Sequence, residues 1–365
     1  MEKRMRYITI IIMTVFLSVF ALLCWFKNSD EYSMMERRYL KQFPNLTWES
    51  VMSGRFMSEF ESYSQDQFPG RDFLRGVKSA TALFVFGQKA NNDLYLAEGY
   101  IGKLEYPYDK QSIEHATKVF QSVYDKYLEG TNCKVYYSII PDKGYFLAES
   151  NDYPSIDYEI LEQDFCAGMN GMVYIDIFDV MALDDFYKTD THWRQEEIVD
   201  VAEVLAGAMG KHLTAEYELN ALEESFYGVY YGQLGLPVQG ETLFYLNNDT
   251  LENCYVYDYT DMQEIPVYDM DKAVGADPYE LYLSGPLSLI TIENSNADTK
   301  DELIIFRDSF GSSIAPLFVE DYAKITLVDI RYLHSGYLGK YIDFKDQDVL
   351  FLYSTLVLNN SETIK

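Results

Sequence analysis

The chain has 365 residues, 48% of them hydrophobic, so it can bury a core in one large domain or in two modest ones. Its 58 acidic and 29 basic residues give a net charge of −29. Nucleic acids and anionic membrane surfaces bind basic faces, so this charge argues against either as the main partner. The 33 tyrosines and 22 phenylalanines suit sugar stacking, but rings in strands and cores are the commoner explanation.

An uncharged run from Tyr7 to Phe26 is long enough to cross a membrane as a helix. Lys3 and two arginines precede it, and the positive-inside rule then predicts a cytoplasmic tip and single-pass anchor over residues 1–27. The rest of the chain would lie outside the cell membrane. A cleaved signal peptide is the alternative, but the bulky segment Leu22–Phe26 lacks the small residues of a cleavage site.

Residues 28–98 are predicted to form a polar, helical lead-in. The segment Phe56–Phe60 has the apolar spacing of a helix, and Pro44 and the Pro69-Gly70 pair interrupt the pattern. Residues 99–365 then alternate between strand and helix patterns, which predicts a separate α/β domain.

Five apolar runs in that domain are predicted to be buried strands, at residues 133–140, 172–177, 302–306, 325–328 and 349–353. Helices are predicted over residues 113–127, 158–169, 202–213 and 310–319. This alternation favours a central, mainly parallel sheet that helices cover on both faces. Residues 214–296 are rich in Tyr, Gly and Asn, and we expect an insertion of turns and antiparallel strands over the sheet edge.

The four cysteines indicate neither a disulfide scaffold nor a metal site. Cys24 falls in the predicted span, and Cys133, Cys166 and Cys254 form an odd set without metal-ligand spacing. No Cys-x-x-Cys or His-x-x-x-His pair is present. We therefore expect no metal and no cofactor.

The segment Tyr187–Trp193 contains Asp190 two residues before His192. A carboxylate at that spacing can bind one imidazole nitrogen and leave the other free as a base. Ser309 follows a predicted strand about 115 residues later, where a helical amide can stabilise an oxyanion. The alternatives are a buried turn for the Asp–His pair and a helix cap for Ser309.

The remaining histidines are weaker candidates for a base. His115 and His212 are expected on helix surfaces, and His334 is a minor rival that follows the fourth predicted strand.

Several motifs together resemble the DHHW proteins, which are relatives of the alginate O-acetyltransferases. The resemblance covers most of the chain after the anchor, and it is carried by Asp190-Thr-His192-Trp193, Asp66–Asp72, Pro141–Lys143, Ser225–Tyr231, Arg307–Ser309 and Val328–Tyr332. It implies a three-layer, SGNH-hydrolase-like fold with a circularly permuted motif order. It also implies a serine acyl enzyme in which Ser309 is the nucleophile, His192 the base and Asp190 its orienting group.

The sequence departs from the family pattern at two positions. Thr191 occupies the second position of the naming motif, where the family has its first histidine, as in the alginate relatives, and the Asp–His pair survives. Pro286 stands after Gly285 where relatives often carry Asn, so one oxyanion donor is missing if that Asn is a donor. Arg331, Gly285 and Tyr332 are the candidate oxyanion or substrate-binding residues, although Arg331 could equally be a structural salt-bridge partner.

These observations lead to three hypotheses. The first is an extracytoplasmic O-acyltransferase that acetylates a cell-surface or exported polysaccharide, with its acetyl donor supplied through a multi-pass membrane O-acyltransferase that the resemblance alone implies. The second is a glycan acetyl-esterase that uses the same residues. The third is a polysaccharide-binding or scaffold protein without catalysis.

Overall fold

The computed structural model describes residues 2–365, and their contacts divide the chain into two units. The first unit runs to Gln88 and includes Tyr231–Pro237. The second unit consists of Lys89–Tyr230 and Val238–Lys365.

The first unit is mainly helical. Its elements are α1 (Glu2–Phe26), β1 (Tyr32–Ser33), β2 (Arg38–Tyr39), α2 (Trp48–Met52), α3 (Arg55–Asp66) and α4 (Arg71–Ala80), with a π-helical turn at Thr81–Val85. Within residues 2–365, Lys3–Phe26 is the one helical stretch long and apolar enough to cross a membrane, with a mean hydropathy of 2.6. A signal sequence has the same properties.

The second unit contains the remaining strands and most of the remaining helices. The strands are β3 (Leu94–Ala97), β4 (Tyr100–Lys103), β5 (Lys134–Ile140), β6 (Val173–Tyr174), β7 (Glu218–Ala221), β8 (Phe244–Asn247), β9 (Tyr255–Asp258), β10 (Gln263–Ile265), β11 (Leu289–Glu293), β12 (Glu302–Arg307), β13 (Lys324–Val328) and β14 (Asp348–Ser354). The helices are α5 (Lys110–Val123), α6 (Lys143–Leu147), α7 (Tyr158–Gly168), α8 (Val199–Ala208), α10 (Asp249–Glu252), α11 (Met270–Ala273), α12 (Gly311–Ile314) and α13 (Thr355–Leu358). Helix α9 (Val229–Leu234) begins in the second unit and ends in the Tyr231–Pro237 segment of the first.

Eight of these strands form one sheet in the order β10-β9-β11-β13-β12-β14-β5-β6. The last five in that order pair in parallel, and they are the five strands predicted from the sequence. Strands β11, β9 and β10 continue the sheet in antiparallel pairing. The antiparallel strands expected within residues 214–296 are present, but β9, β10 and β11 extend the sheet edge by backbone hydrogen bonds and do not lie over it.

The sheet is buried on both faces because its central strands are mostly apolar. Leu303 and Ile305 of β12 belong to one core, with Leu205 of α8. Ile304 and Phe306 belong to the other core, together with residues of α5 and α7. Successive side chains of a strand point to opposite faces, so one sheet between two helical layers explains both cores. The predicted three-layer α/β architecture is confirmed.

Three predicted elements are shorter in the structure. The strand expected at 172–177 pairs only over Val173–Tyr174, because the chain turns where Asp176 accepts the Phe178 N–H at 2.9 Å. The helix expected at 310–319 changes from α12 to a 3₁₀ segment at Ala315–Phe318, since Pro316 cannot donate an α-helical hydrogen bond.

The helix expected at 202–213 ends earlier, at Ala208. Gly210 follows with a φ of +80°, the left-handed conformation that commonly terminates helices. His212 therefore lies beyond the helix, and its predicted position on a helix surface was wrong, although the side chain is exposed.

The carboxyl ends of the parallel strands meet along one edge of the sheet. Ser309 follows β12, Asp329 follows β13, and Ser354 ends β14. Lys143 begins α6 just after β5. Ligands bind at this edge in α/β sheets, so a functional site is expected there.

Candidate active site

Asp190 and His192 lie in a sharp bend between two segments that a β-bridge joins at Phe186 and Trp193. The bridge brings the Tyr187 N–H to the His192 carbonyl at 3.1 Å and closes the bend. The imidazole Nδ1 of His192 lies 2.6 Å from Oδ1 of Asp190, which also accepts the His192 backbone N–H at 3.0 Å. This double contact fixes the ring plane and selects the tautomer with its proton on Nδ1.

Ser309 completes a hydrogen-bonded chain with these two residues. Its Oγ lies 2.7 Å from Nε2 of His192. Asp308 holds the turn that presents Ser309: one oxygen accepts the Phe310 N–H at 3.0 Å, and the other accepts the backbone N–H and the hydroxyl of Ser354 at 2.8 and 2.7 Å. The turn after β12 is thus tied to the end of β14.

Asp190 is fully buried, and backbone amides satisfy it on both oxygens. Its Oδ2 accepts the N–H of Val229 at 2.7 Å. Gly228 packs directly against it, so that a β-carbon at position 228 would lie 2.3 Å from the Asp190 β-carbon. A glycine at 228 is therefore required for this segment to approach Asp190 so closely.

The imidazole of His192 is held on one face by Tyr279. The two ring centroids are 3.9 Å apart and the planes differ by 8°. The Tyr279 hydroxyl lies 2.8 Å from Oγ of Ser313, which also accepts the indole N–H of Trp193 at 2.7 Å. Burial raises the pKa of Tyr279 well above its ordinary value, which keeps the phenol neutral.

Lys143 stabilises the same bend through its backbone carbonyls. Its buried ammonium donates to the carbonyls of Tyr187, Lys188 and Asp190 at 3.0, 3.3 and 2.6 Å. Burial lowers the pKa of Lys143 to about 7, although the nearby carboxylates of Asp190 and other residues oppose that shift. The Lys143 side chain is therefore the N–H donor for three carbonyls of the bend.

A cavity of about 230 Å³ opens at the exposed end of this chain of hydrogen bonds. His192 and Ser309 line it together with Gly285, Arg331 and Tyr332. Five of the six site residues predicted from the sequence therefore lie around one cavity, and the sixth, Asp190, is buried behind His192.

Arg331 is both a salt-bridge partner and a cavity residue. Its Nε and Nη2 donate to the two oxygens of Asp329 at 2.9 and 2.6 Å. Burial lowers the pKa of Arg331, but the hydrogen bonds and charge of Asp329 outweigh this effect and raise it. Within residues 2–365, Nη1 has no hydrogen-bond partner, so the guanidinium is oriented on one side and available on the other.

Gly285 and Tyr332 have different places in the cavity wall. Gly285 has a φ of +90° and follows Leu283 and Ser284, which are also left-handed. Its own N–H already donates to the Tyr282 carbonyl at 3.2 Å. The Tyr332 ring is exposed and lies 5.6 Å from the Arg331 guanidinium carbon.

The backbone N–H of Ser309 has no hydrogen-bond partner in the described part of the chain. It directly precedes Phe310 and α12, where amides point away from the helix. An unpaired amide next to a nucleophilic oxygen is the usual first donor to a tetrahedral oxyanion.

The other histidines lie elsewhere. The Nδ1 of His334 accepts the Gly336 N–H at 3.0 Å and caps a short 3₁₀ segment, and His334 does not line the cavity. His115 is exposed on α5, as predicted, and its Nδ1 lies 3.0 Å from Ser361 Oγ. Among residues 2–365, no cluster of three or more His, Cys, Asp or Glu side chains is arranged to hold a metal ion.

The fold and this site together define a three-layer α/β protein with an Asp–His–Ser chain at the carboxyl edge of its parallel strands. No protein-family model and no curated protein matches the sequence. Several solved structures do match this chain.

A DHHW family protein from Eubacterium siraeum is 18% identical, with a TM-score of 0.61 over 75% of this chain and 95% of that one. PatB1 from Bacillus cereus is 16% identical, with a TM-score of 0.63 over 75% of this chain and 99% of that one. The O-acetyltransferase domain of AlgJ from Pseudomonas putida is more distant, at 11% identity and a TM-score of 0.44 over 73% and 92% of the two chains.

The chain therefore has the fold of a DHHW protein, and that expectation from the sequence is confirmed.

Three residues that help to form the site had no role predicted from the sequence. Lys143 and Gly228 fall within segments that support the family resemblance, but their contacts with the Asp190 bend are long-range. Tyr279 lies in the Tyr-rich insertion, where nothing in the sequence pattern distinguishes it from the other tyrosines.

Proposed function

We propose that this protein is a membrane-anchored serine O-acyltransferase that acetylates a polysaccharide outside the cell membrane through an acyl-serine intermediate. The observation that carries the proposal is the pair of hydrogen bonds from Asp190 to His192 and from His192 to Ser309, at 2.6 and 2.7 Å, beside an open cavity. A base within hydrogen-bond reach of a hydroxyl, and itself oriented by a carboxylate, is the arrangement that activates serine.

In the first half-reaction, Ser309 Oγ attacks the carbonyl carbon of an acetyl ester as Nε2 of His192 takes the hydroxyl proton. Asp190 stabilises the imidazolium through Nδ1. The tetrahedral intermediate then expels the donor alkoxide, which receives the proton from His192. The acetyl group is now bonded to Ser309 Oγ, and the donor alcohol leaves.

Two groups are suited to the negative charge of the tetrahedral intermediate. The Ser309 N–H is unpaired and adjacent to the attacking oxygen. The Nη1 of Arg331 lines the same cavity and is unpaired, while Asp329 holds the other side of the guanidinium. Arg331 is thereby the group suited to act in place of the side chain that Pro286 lacks. Each such donor contributes about 3–4 kcal/mol to the transition state in related chemistry.

In the second half-reaction, His192 removes a proton from a sugar hydroxyl, which attacks the acyl-serine and regenerates Ser309. The acetyl group and the polysaccharide acceptor are proposed from the resemblance to the alginate O-acetyltransferases. A structure of Bacillus cereus PatB1 with a sulfonyl adduct supports covalent chemistry on this fold, because sulfonyl groups attach to nucleophilic side chains.

The N-terminal helix supports the proposed location. Basic residues at positions 3, 4 and 6 lie in the first turns of α1 and precede its apolar part, which reaches Phe26 and favours a cytoplasmic N-terminus and an external active site. Acetyl donors made in the cytoplasm must then cross the membrane, and a multi-pass O-acyltransferase is the partner proposed for that step.

The test uses the full-length protein in detergent with an activated acetyl ester and a panel of acidic and neutral oligosaccharides. Wild type should produce acetylated sugar, and Ser309→Ala should not. Release of acetate without acetylated sugar would replace the transferase with an esterase. No turnover of either kind by folded wild type would favour a binding protein.

A further inference from the structure

The first unit contains a partly exposed cluster of aromatic rings formed by Phe43, Phe56, Phe60 and Tyr63. Phe43 is the centre of this cluster, with its ring centroid 6.3, 5.9 and 5.4 Å from those of the other three. Phe43 is nevertheless 58% exposed and Phe60 is 38% exposed. Contiguous exposed apolar groups of this kind mark interaction surfaces.

The aromatic cluster is joined to the end of the apolar helix α1. The Tyr63 hydroxyl lies 3.2 Å from Oγ of Ser29, three residues after α1 ends. Gln67, at the end of α3, makes two hydrogen bonds to the backbone of Asp30, at 2.9 and 2.8 Å. These contacts hold α3 and its aromatic rings close to the end of the apolar stretch of α1.

A second contact reaches further down α1. Phe68 stacks on Phe20, with ring centroids 5.3 Å apart and planes at 14°. Phe20 is the one half-buried residue of Lys3–Phe26, all the others being exposed. At 1.5 Å per residue, Phe20 lies about 9 Å below Phe26 along the helix axis. Phe68 therefore lies beside the apolar part of the helix.

The charge of residues 28–88 differs from that of residues 89–365. Residues 28–88 contain eight acidic and seven basic side chains, whereas residues 89–365 contain 49 acidic and 18 basic ones. An anionic membrane surface repels the second set strongly and the first set hardly at all. Attachment of the first unit to lipid then depends on apolar burial, not on charge.

From these contacts we infer that the first unit is a lipid-binding collar, with the aromatic cluster embedded in the membrane–water interface around α1. Aromatic rings are favoured at that depth, and interfacial binding follows the buried apolar area. The inference rests on α1 being a retained membrane span, as in the proposed function. It extends that function by assigning a lipid surface to the segment that connects the span to the active-site unit.

Quenching of tryptophan fluorescence by brominated acyl chains tests the inference in full-length protein reconstituted in phosphatidylcholine vesicles. The background variant Trp25→Phe/Trp48→Phe retains only the buried Trp193. Phe43→Trp and, separately, Phe60→Trp then report on the aromatic cluster. Tyr341→Trp, at a comparably exposed position in the second unit, is the matched control. The single variant Trp48→Phe keeps Trp25 as the reporter for the end of α1.

We expect brominated lipid to reduce the fluorescence of the Phe43→Trp, Phe60→Trp and Trp25 reporters and to leave the Tyr341→Trp reporter unchanged. Quenching of Trp25 alone would overturn the collar but keep the anchor, and would reassign the cluster to a protein partner. Absence of quenching at Trp25 as well would also overturn the assignment of α1 as a membrane anchor. Equal quenching at position 341 would mean adsorption of the whole protein and would also overturn the collar.

Discussion

The imidazole of His192 lies parallel to the phenol ring of Tyr279, with centroids 3.9 Å apart. Asp190 fixes the imidazole from its edge through Nδ1, and Tyr279 fixes it from one face. The Tyr279 hydroxyl is itself held at Ser313, on the segment that follows Ser309. Base and nucleophile are thus positioned by one connected set of side chains.

Tyr279 should act through its ring. Tyr279→Phe keeps the stacking surface and removes one hydrogen bond, so we expect a loss of about 1 kcal/mol in stability and near-normal kcat. Tyr279→Ala removes a buried ring, which costs about 3–5 kcal/mol of stability and frees the imidazole. We expect kcat to fall much more than KM rises for Tyr279→Ala, measured below its unfolding temperature. Equal kinetics in the two variants would contradict a positioning role for the ring.

Asp190→Asn tests the orienting carboxylate. The amide nearly preserves the shape of the carboxylate, but its NH₂ group cannot accept from Nδ1 of His192 and favours the wrong tautomer. A loss of about 10⁴-fold in kcat is expected, by analogy with the same change in serine proteases. Thermal unfolding should confirm that the variant is folded. Retention of more than a tenth of the activity would mean that Asp190 is only structural.

Gly228→Ala tests how closely the Val229 segment must approach Asp190. The added β-carbon would lie 2.4 Å from the Asp190 backbone nitrogen, so the segment must move and the Val229 N–H must leave Oδ2. We predict reduced activity and reduced stability.

Gly207→Ala is the matched control, because no atom lies within 4 Å of its β-carbon position on α8. A glycine inside a helix costs about 0.5–1 kcal/mol relative to alanine. Gly207→Ala should therefore be more stable than wild type and fully active. Identical behaviour of the two alanine variants would contradict the packing argument at position 228.

Much of this architecture could be predicted from local sequence patterns. The five parallel strands are continuous apolar runs, and their alternation with helices identifies the sheet. The Asp190–His192 pair was recognisable because two residues of separation place both groups in one bend. Ser309 was recognisable as a serine at a strand end.

Long-range pairing was not predictable in the same way. Strands β9 and β10 are short and mix apolar with charged residues, so nothing local indicates that they extend the sheet edge. Lys143 contacts carbonyls more than 40 residues away, and those contacts depend on the folded bend. For the aromatic cluster of the first unit, the sequence predicts only helical spacing, since exposure is a property of the tertiary structure.

Lys143→Met should weaken the Asp190 bend by leaving three carbonyls without their donor, at about 1–3 kcal/mol for each buried group. The pH dependence of stability identifies the residue directly. The folded pKa of about 7 lies below the unfolded value of 10.5, so the unfolded chain binds more protons between these limits. Stability should therefore rise with pH in that window, by at most about 1.4 kcal/mol per pH unit.

Lys143→Met should lack this contribution. The measurement is the free energy of unfolding of both proteins from pH 7 to pH 10, in which shared titrations cancel. Parallel curves would contradict a buried lysine with a lowered pKa.

The central claim is that Ser309 becomes covalently acylated, and peptide mass spectrometry of the full-length protein tests it most directly. Protein treated with an activated acetyl ester, or in parallel with a sulfonyl fluoride, is quenched in acid and digested. The account predicts one adduct on the peptide that contains Ser309 in wild type, far less in His192→Gln, and none in Ser309→Ala. An adduct on another residue, or equal labelling of Ser309→Ala and wild type, would contradict it.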